Sequence, residues 1–582
     1  MAARTGVRSA RKRMSPEDRA NAKKKRDETR FRNSAKEIFA KSGFVSISSE
    51  GREFKFSTPN GDRTGELDGI FVYENVLILL EDTCAATPGP HLNKKLMFFE
   101  LALKNPARFV SCLRDVFPEF ERYFSARAYQ EEDFVLRFVY FSMYSVDSEY
   151  VEAAARAEVR VVERALTNYF SALVKNIAAS AKYEIFKFLD IPYSEIGEEK
   201  LRGGNSDYPS RYNGFLLPEA NSSYPEGYKI VSFYADPASL LKKSFVLRKN
   251  GWLAPNLSYQ RILDVSKIRL MRRYLTEDKR VFLGNIIATL PSSTKIGKLS
   301  TADQLSLDDQ RTVKAVKITL PDEYNVIGLV DGQHRVYSYH EGNDAFEKEI
   351  NRLRTKQNLL VTGIIYPEYV SDEERTLFEA KLFLEINSRQ TKVKSALTQE
   401  IELIVNPFST TAIAKAVLVR LAKKGALKDR LEEHVFDDVK KLKVSSIIGY
   451  GLKPLVKKEG GDSLFDLWGE DRKKVDIFTE RNREHLEEFV DFCASEINDL
   501  LISVKVSCSD AWYIGHDKKL LTPTSINGFL KCLRLIIEKR NVRGIEEYKK
   551  RLANIGDFDF STYKSSHWNQ LGTDLYANYF AS

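Results

Sequence analysis

GELDGIFVYENVLILLEDTC, residues 65–84, reads as a hairpin with two acids set into it. Apolar and β-branched residues flank Glu74-Asn75, a turn pair, so the stretch predicts strands over 65–73 and 76–81. The second strand has no polar face, as expected of a central strand covered on both sides. A turn at 74–75 sets Asp68 opposite about residue 81, which makes the Asp68 and Glu81 carboxylates neighbours. Two adjacent carboxylates repel and call for a cation. Mg²⁺ (or Mn²⁺) takes oxygen ligands of this kind, polarises phosphate and activates water. The plainer alternative is a solvated hairpin acid beside a strand-end acid.

Upstream, RFRNSAKEIFAKSGF (30–44) spaces Phe31, Ala35, Ile38 and Phe39 at helical intervals, and Gly43 closes the helix. A strand over 53–57 and a turn at Pro59-Asn60-Gly61 precede the hairpin. Downstream come a helix carrying Lys94 and Lys95 and the strand FVLRFVYFSMY (134–144). In this order of elements the segment resembles the PD-(D/E)XK nuclease superfamily. The resemblance implies that Asp68 is the first acid and Glu81-Asp82-Thr83 the (D/E)XK element, with Glu37 an accessory acid. Thr83 stands where the family has lysine. Lys94, or Lys95, would then reach in as a migrated lysine; otherwise the domain binds DNA or metal without cutting.

The 582 residues exceed what one core normally holds, and a 43% hydrophobic content is ample for several. Five scattered cysteines form no CxxC pair, which excludes a disulfide framework or zinc module as the organising feature. No apolar run approaches membrane-spanning length and no signal-like segment opens the chain, so a cytoplasmic protein with no membrane partner is expected. The formal charge of +9 is uneven: residues 1–32 hold twelve Lys/Arg against four Asp/Glu. Lys23-Lys24-Lys25-Arg26 lies in that stretch and reads as part of a flexible arm meeting a polyanion such as DNA, or as a solubilising tail.

Residues 157–165 suggest one more strand, 167–189 a helix, and the Gly-, Ser-, Pro- and Tyr-rich 190–226 a connector. Beyond it, strands are expected at 229–234, 281–290, 315–320 and 359–367, and helices after Asp236, over 258–275 and over 371–386. Between them lies VIGLVDGQHRVYSYHEG (326–342), a buried strand that ends in Asp331-Gly332-Gln333-His334-Arg335 and turns into a helix. A helix start leaves backbone N–H groups unpaired, Gly332 permits close approach, and Arg335 is a bidentate donor for phosphate oxygens. The pattern suits a nucleotide phosphate, with Asp331 bridged to it through Mg²⁺ or orienting a neighbour. Alternatively Asp331 caps the helix and Arg335 pairs with a local acid.

This second stretch resembles the DGQHR-domain family, which includes the DndB-type proteins of DNA phosphorothioation systems and belongs to the ParB/sulfiredoxin-like group. SYQRILDVSKI, FLGNIIATL and LEINSRQTKV stand as companion blocks in the expected order, so the resemblance covers roughly 226–405. It implies a nucleoside triphosphate (ATP or CTP) held by Gly332, His334 and Arg335. Glu385, Asn387, Arg389 and Gln390 would form a second wall. Walker A, HExxH and GxSxG patterns are absent. Cys84 and His91 lie near Glu81, as a catalytic or metal pair would; the plainer reading is a semi-buried thiol and a loop imidazole. Residues 406–582 show amphipathic helical spacing, fitting a DNA-binding, oligomerising or supporting domain.

The expected architecture is therefore multidomain α+β. It comprises a basic flexible arm (1–30), a restriction-endonuclease-like αβ core with a helical bridge (31–190) and a connector (191–225). A ParB/sulfiredoxin-like α+β nucleotide-binding domain (226–405) and a helical domain (406–582) follow. The expected function is a metal-dependent DNA nuclease coupled to nucleotide binding or hydrolysis, within a prokaryotic DNA-modification or phage-defence system. Its partners would be further copies or other proteins of that system. The alternatives are a non-catalytic DNA-binding regulator and an NTPase with a DNA-targeting N-terminal domain.

Overall fold

The computed structural model describes residues 15–59, 61–201, 210–246, 263–301, 303–306, 308–388, 402–432 and 441–581. The chain is a mixed α+β protein that divides into two units. The first holds residues 1–208 with the short segments 322–324 and 340–348, and the second holds 209–321, 325–339 and 349–582. The regions expected as separate domains over 226–405 and 406–582 thus share one unit.

The first unit opens with α1 (Pro16–Lys41), capped by the Ser15 side chain, which accepts from the Asp18 N–H. Pro16 at the first helical position is pre-organised for a helix, and helix-favouring Ala, Lys, Arg and Glu follow. The arm expected to be flexible over 1–30 is therefore helical from Pro16 on, and residues 1–14 lie outside the described residues. Strands β1 (Val45–Ile47), β2 (Phe54–Thr58), β3 (Gly61–Gly65), β4 (Gly69–Tyr73) and β5 (Val76–Thr83) come next. They are followed by helices α2 (Gly89–Leu103), α3 (Pro106–Val116) and α4 (Pro118–Ser125) and by strand β6 (Val135–Ser142). Helix α5 (Ser148–Arg156), strand β7 (Val159–Glu163) and helices α6 (Arg164–Ile177) and α7 (Lys182–Phe188) complete the main elements.

The five-stranded sheet runs β1-β4-β5-β6-β7. Strands β1, β4 and β5 are antiparallel neighbours, whereas β5, β6 and β7 run parallel. All eight residues of β5 are buried, as a central strand requires. An aromatic layer of Phe54, Phe98, Phe99, Phe109 and Phe138 fills one face, with Phe99 stacked on Phe138 at 4.4 Å.

One strand expected over 65–73 is two. β3 pairs only with β2 in a separate hairpin, and the chain breaks at Glu66-Leu67-Asp68 before entering the main sheet as β4. The break is bracketed by glycines that touch rings: a Cβ on Gly65 would lie 2.5 Å from Phe98, and one on Gly69 2.7 Å from Phe71.

The second unit contains an eight-stranded sheet formed by β8 (Arg211–Pro218), β9 (Lys229–Ala235), β10 (Ser244–Val246) and β11 (Ile286–Leu290) with β12 (Lys295–Gly297), β13 (Lys314–Thr319), β14 (Ile327–Asp331) and β15 (Leu359–Ile365). Its order is β10-β14-β11-β15-β9-β8-β13-β12. β8 lies inside the segment expected as a connector, and the strand expected over 281–290 is confined to its last five residues. The helix expected over 258–275 is observed as Val265–Glu277, its start falling outside the described residues. Helices dominate the described part of the C-terminal third, around a core that includes Val417, Leu421, Phe489, Ile497, Leu530 and Leu533.

Candidate active site

The hairpin register pairs Gly69 with Leu80, so Asp68 stands opposite Glu81 one step beyond the last pair. Because the chain kinks at 66–68, the Asp68 carboxylate turns along the edge of β5 and accepts the Asp82 N–H at 2.8 Å. Glu81 and Asp82 are both buried, at 4% and 8% exposure. As neighbours on a strand they point to opposite faces of the sheet, Glu81 towards α2 and Asp82 towards α1, with Asp68 at the strand end beside both.

Two cations reach this cluster from separate helices. Lys95 on α2 places Nζ 2.6 Å from Glu81 Oε1. Arg32 on α1 places Nε 3.2 Å from Asp82 Oδ1. Their charge does not balance the site. Burial, and then the Asp68 carboxylate, push the Glu81 carboxyl up to about 8 despite the Lys95 ammonium. The same two causes push Asp82 up to about 6 against the pull of Arg32. Glu81 Oε2 is buried and without a hydrogen-bond partner.

His91, one helical turn before Lys95, lies with Nε2 3.7 Å from Glu81 Oε1 and Nδ1 2.9 Å from the Tyr140 hydroxyl. The Tyr140 hydroxyl also lies 3.2 Å from the Pro88 carbonyl, to which it donates. Burial, then Lys95, hold the imidazole below its ordinary range. His91 sits on α2 rather than in the expected loop.

Lys94 is exposed, and Lys95 is the lysine at the acids. The sequence holds the signal for this. Lys95 is i+3 from Leu92 and i−4 from Phe99, within the buried stripe of α2, whereas Lys94 lies about 100° away around the helix. Sequence reading also passed over Arg32, because nothing local to it foretells that α1 packs beside β5. Glu37 pairs with Lys41 on the exposed side of α1 and does not join the site.

Among the described residues no group of three or more His, Cys, Asp or Glu side chains is disposed to hold a metal ion. Mg²⁺ needs fewer: it commonly takes one or two carboxylates and fills its remaining positions with water and substrate phosphate. Asp68 and Glu81, the latter with an orphaned buried oxygen, fit that donor set.

The 331–335 cluster is arranged differently. Gly332 has φ +89°, and a Cβ there would lie 2.6 Å from Ile286, so only glycine fits this close turn. The helix that follows, Gln333–Tyr337, is a single turn of five residues and contributes little dipole. Arg335 pairs with Asp331 at 3.0 Å, which is the local-acid alternative rather than an open phosphate donor. His334 is buried, and its Nε2 accepts the Asp264 N–H at 3.2 Å, so that nitrogen does not donate to a phosphate. Gln333 is 3% exposed, and neither amide atom has a partner. Asn387 lies in the last turn of the helix Asp372–Ser388, while Arg389 and Gln390 fall outside the described residues. No helix among the described residues is long and apolar enough to cross a membrane.

In comparisons with protein-family models, curated proteins and solved structures, nothing matches this chain.

Proposed function

We propose that this chain is a metal-dependent DNA phosphodiesterase. The observation that carries the reading is that Asp68, Glu81 and Lys95 meet at one end of β5. The order α1, antiparallel strands, α2, then β6 parallel to β5 supports a restriction-endonuclease-like core. Asp68 and Glu81 would hold Mg²⁺ or Mn²⁺, which supplies a polarised phosphate and an activated water when bound. Lys95 keeps a positive charge beside Glu81, where it can stabilise charge developing on a phosphate oxygen. Arg32, itself half-exposed, pairs with the buried Asp82. Lys95 takes the place left by Thr83, and this favours a cutting enzyme over a regulator that only grips DNA.

The second unit is proposed as a ParB/sulfiredoxin-like domain that binds a nucleoside triphosphate at 331–335 and couples it to cleavage, as in a prokaryotic defence or modification system. Support comes from the unpartnered Gln333 amide; Arg335 would have to exchange Asp331 for the phosphate. Arg335→Ala is expected to weaken ATP or CTP binding at least tenfold, about 1.4 kcal/mol, by calorimetry. Unchanged affinity removes the nucleotide role from this cluster. The phosphodiesterase reading is tested by incubating the chain with supercoiled plasmid and Mg²⁺ or Mn²⁺. Nicked product is expected with metal and none with chelator.

A further inference from the structure

Helix α1 presents one face to the core through Phe31, Ala35, Ile38 and Phe39 and turns a cationic face outward. Lys23, Lys25, Arg26 and Arg30 are exposed on that face, Lys24 is exposed on the side of Phe31, and none of them has an ion-pair partner among the described residues. Between Lys23 and Arg32 there are six cations and only two acids, Asp27 and Glu28. Lys25, Arg26, Thr29, Arg30 and Asn33, with the acid Glu37 at one end, line a groove of about 700 Å³ along this outer face. At its far end the same helix delivers Arg32 to Asp82 in the carboxylate cluster. With a rise of about 1.5 Å per residue, Lys23 and Arg32 lie about 13 Å apart along the axis. Over that length of duplex axis one DNA strand carries about four phosphates, one about every 3.4 Å.

We infer that the outer face of α1 is a rail for the phosphate backbone of double-stranded DNA, ending at the carboxylate cluster of β5. The inference rests on the proposed action on DNA and adds the surface that holds it. Unpaired cations repel one another on a folded surface, and a polyanion relieves that repulsion. A single strand is usually gripped by stacking its bases on aromatic rings. None of the described groove-lining residues is aromatic, so the face suits a duplex backbone.

Binding of a fluorescent duplex is measured at several salt concentrations with EDTA present, so that cleavage plays no part. The combined variant Lys25→Ala, Arg26→Ala and Arg30→Ala keeps a helix-favouring residue at each exposed position. Its plot of log affinity against log salt is expected to be shallower by about 2–3, at about 0.9 per lost phosphate contact. The variant Arg26→Lys with Arg30→Lys is expected to keep the wild-type slope. Absence of duplex binding by the wild type, an unchanged slope in the alanine variant, or tighter binding of a single strand or polyglutamate overturns the inference. Wild-type protein that binds through this face but never cuts DNA contradicts the phosphodiesterase reading alone. Protein that cuts while the alanine variant keeps its slope contradicts the rail alone.

Discussion

Lys95→Ala is expected to lower DNA cleavage by about 10²–10³-fold, the usual cost of removing one preorganised donor from developing negative charge. Lys94→Ala is expected to stay within about twofold, as for an exposed side chain that touches nothing specific. The contrast follows from geometry: Lys95 Nζ lies 2.6 Å from Glu81 Oε1, and Lys94 points to solvent. Removing the Lys95 ammonium also takes away the attraction that favours ionised Glu81. The residual activity of Lys95→Ala should therefore have its rising limb at higher pH than the wild type. Lys95→Arg, which keeps the charge, should recover part of the loss. Equal losses from the Lys94 and Lys95 variants would mean that the charge acts at long range and not at the acids.

The second large effect is on stability without metal. Glu81 titrates at about 8 when folded against an ordinary 4.5, and Asp82 at about 6 against 3.8. In those windows the folded chain keeps protons that the unfolded chain has released. Stability is thus fully present below the unfolded values and falls as pH rises towards the folded ones. For Glu81 the loss by pH 8 is on the order of 4 kcal/mol, and Asp82 adds less because its carboxyl is raised less. Thermal melting in EDTA should show the midpoint falling between pH 5 and 8. Glu81→Gln should flatten that fall, since an amide releases no proton. Mg²⁺ should raise the wild-type midpoint most at the alkaline end, where it replaces the missing countercharge. A flat wild-type profile would show that the carboxylates are solvated and that the site carries no stored repulsion.

The parts of this site that sequence reading reaches are those set by period and turn. Glu74-Asn75 fixes the hairpin, and the two-residue alternation of a strand then places Asp68 against Glu81. What it misses depends on packing. The kink at 66–68 is bracketed by Gly65, which lies against Phe98 of the distant α2, and by Gly69, which lies against Phe71 of its own strand. β8 went unseen in RYNGFLLP because Asn and Gly mask its alternation, yet Leu216 and Pro218 face inward on it. At 331–335 the glycine turn was legible, since Gly332 does adopt a positive φ. The length of the helix after it was not, because Val336, Tyr337 and Tyr339 look helical whether the turn continues or stops.

The most direct measurement is nicking of supercoiled DNA by the wild type and by Asp68→Ala, side by side, in Mg²⁺ and in Mn²⁺. Asp68 is the carboxylate to remove because its side chain makes one hydrogen bond among the described residues, to the Asp82 N–H, so the fold has little else to lose. The expected result is metal-dependent nicking by the wild type and none above background by the variant, with both proteins melting alike at pH 5. No nicking by the wild type with either metal, or equal nicking by the two proteins, would contradict a phosphodiesterase built on Asp68 and Glu81.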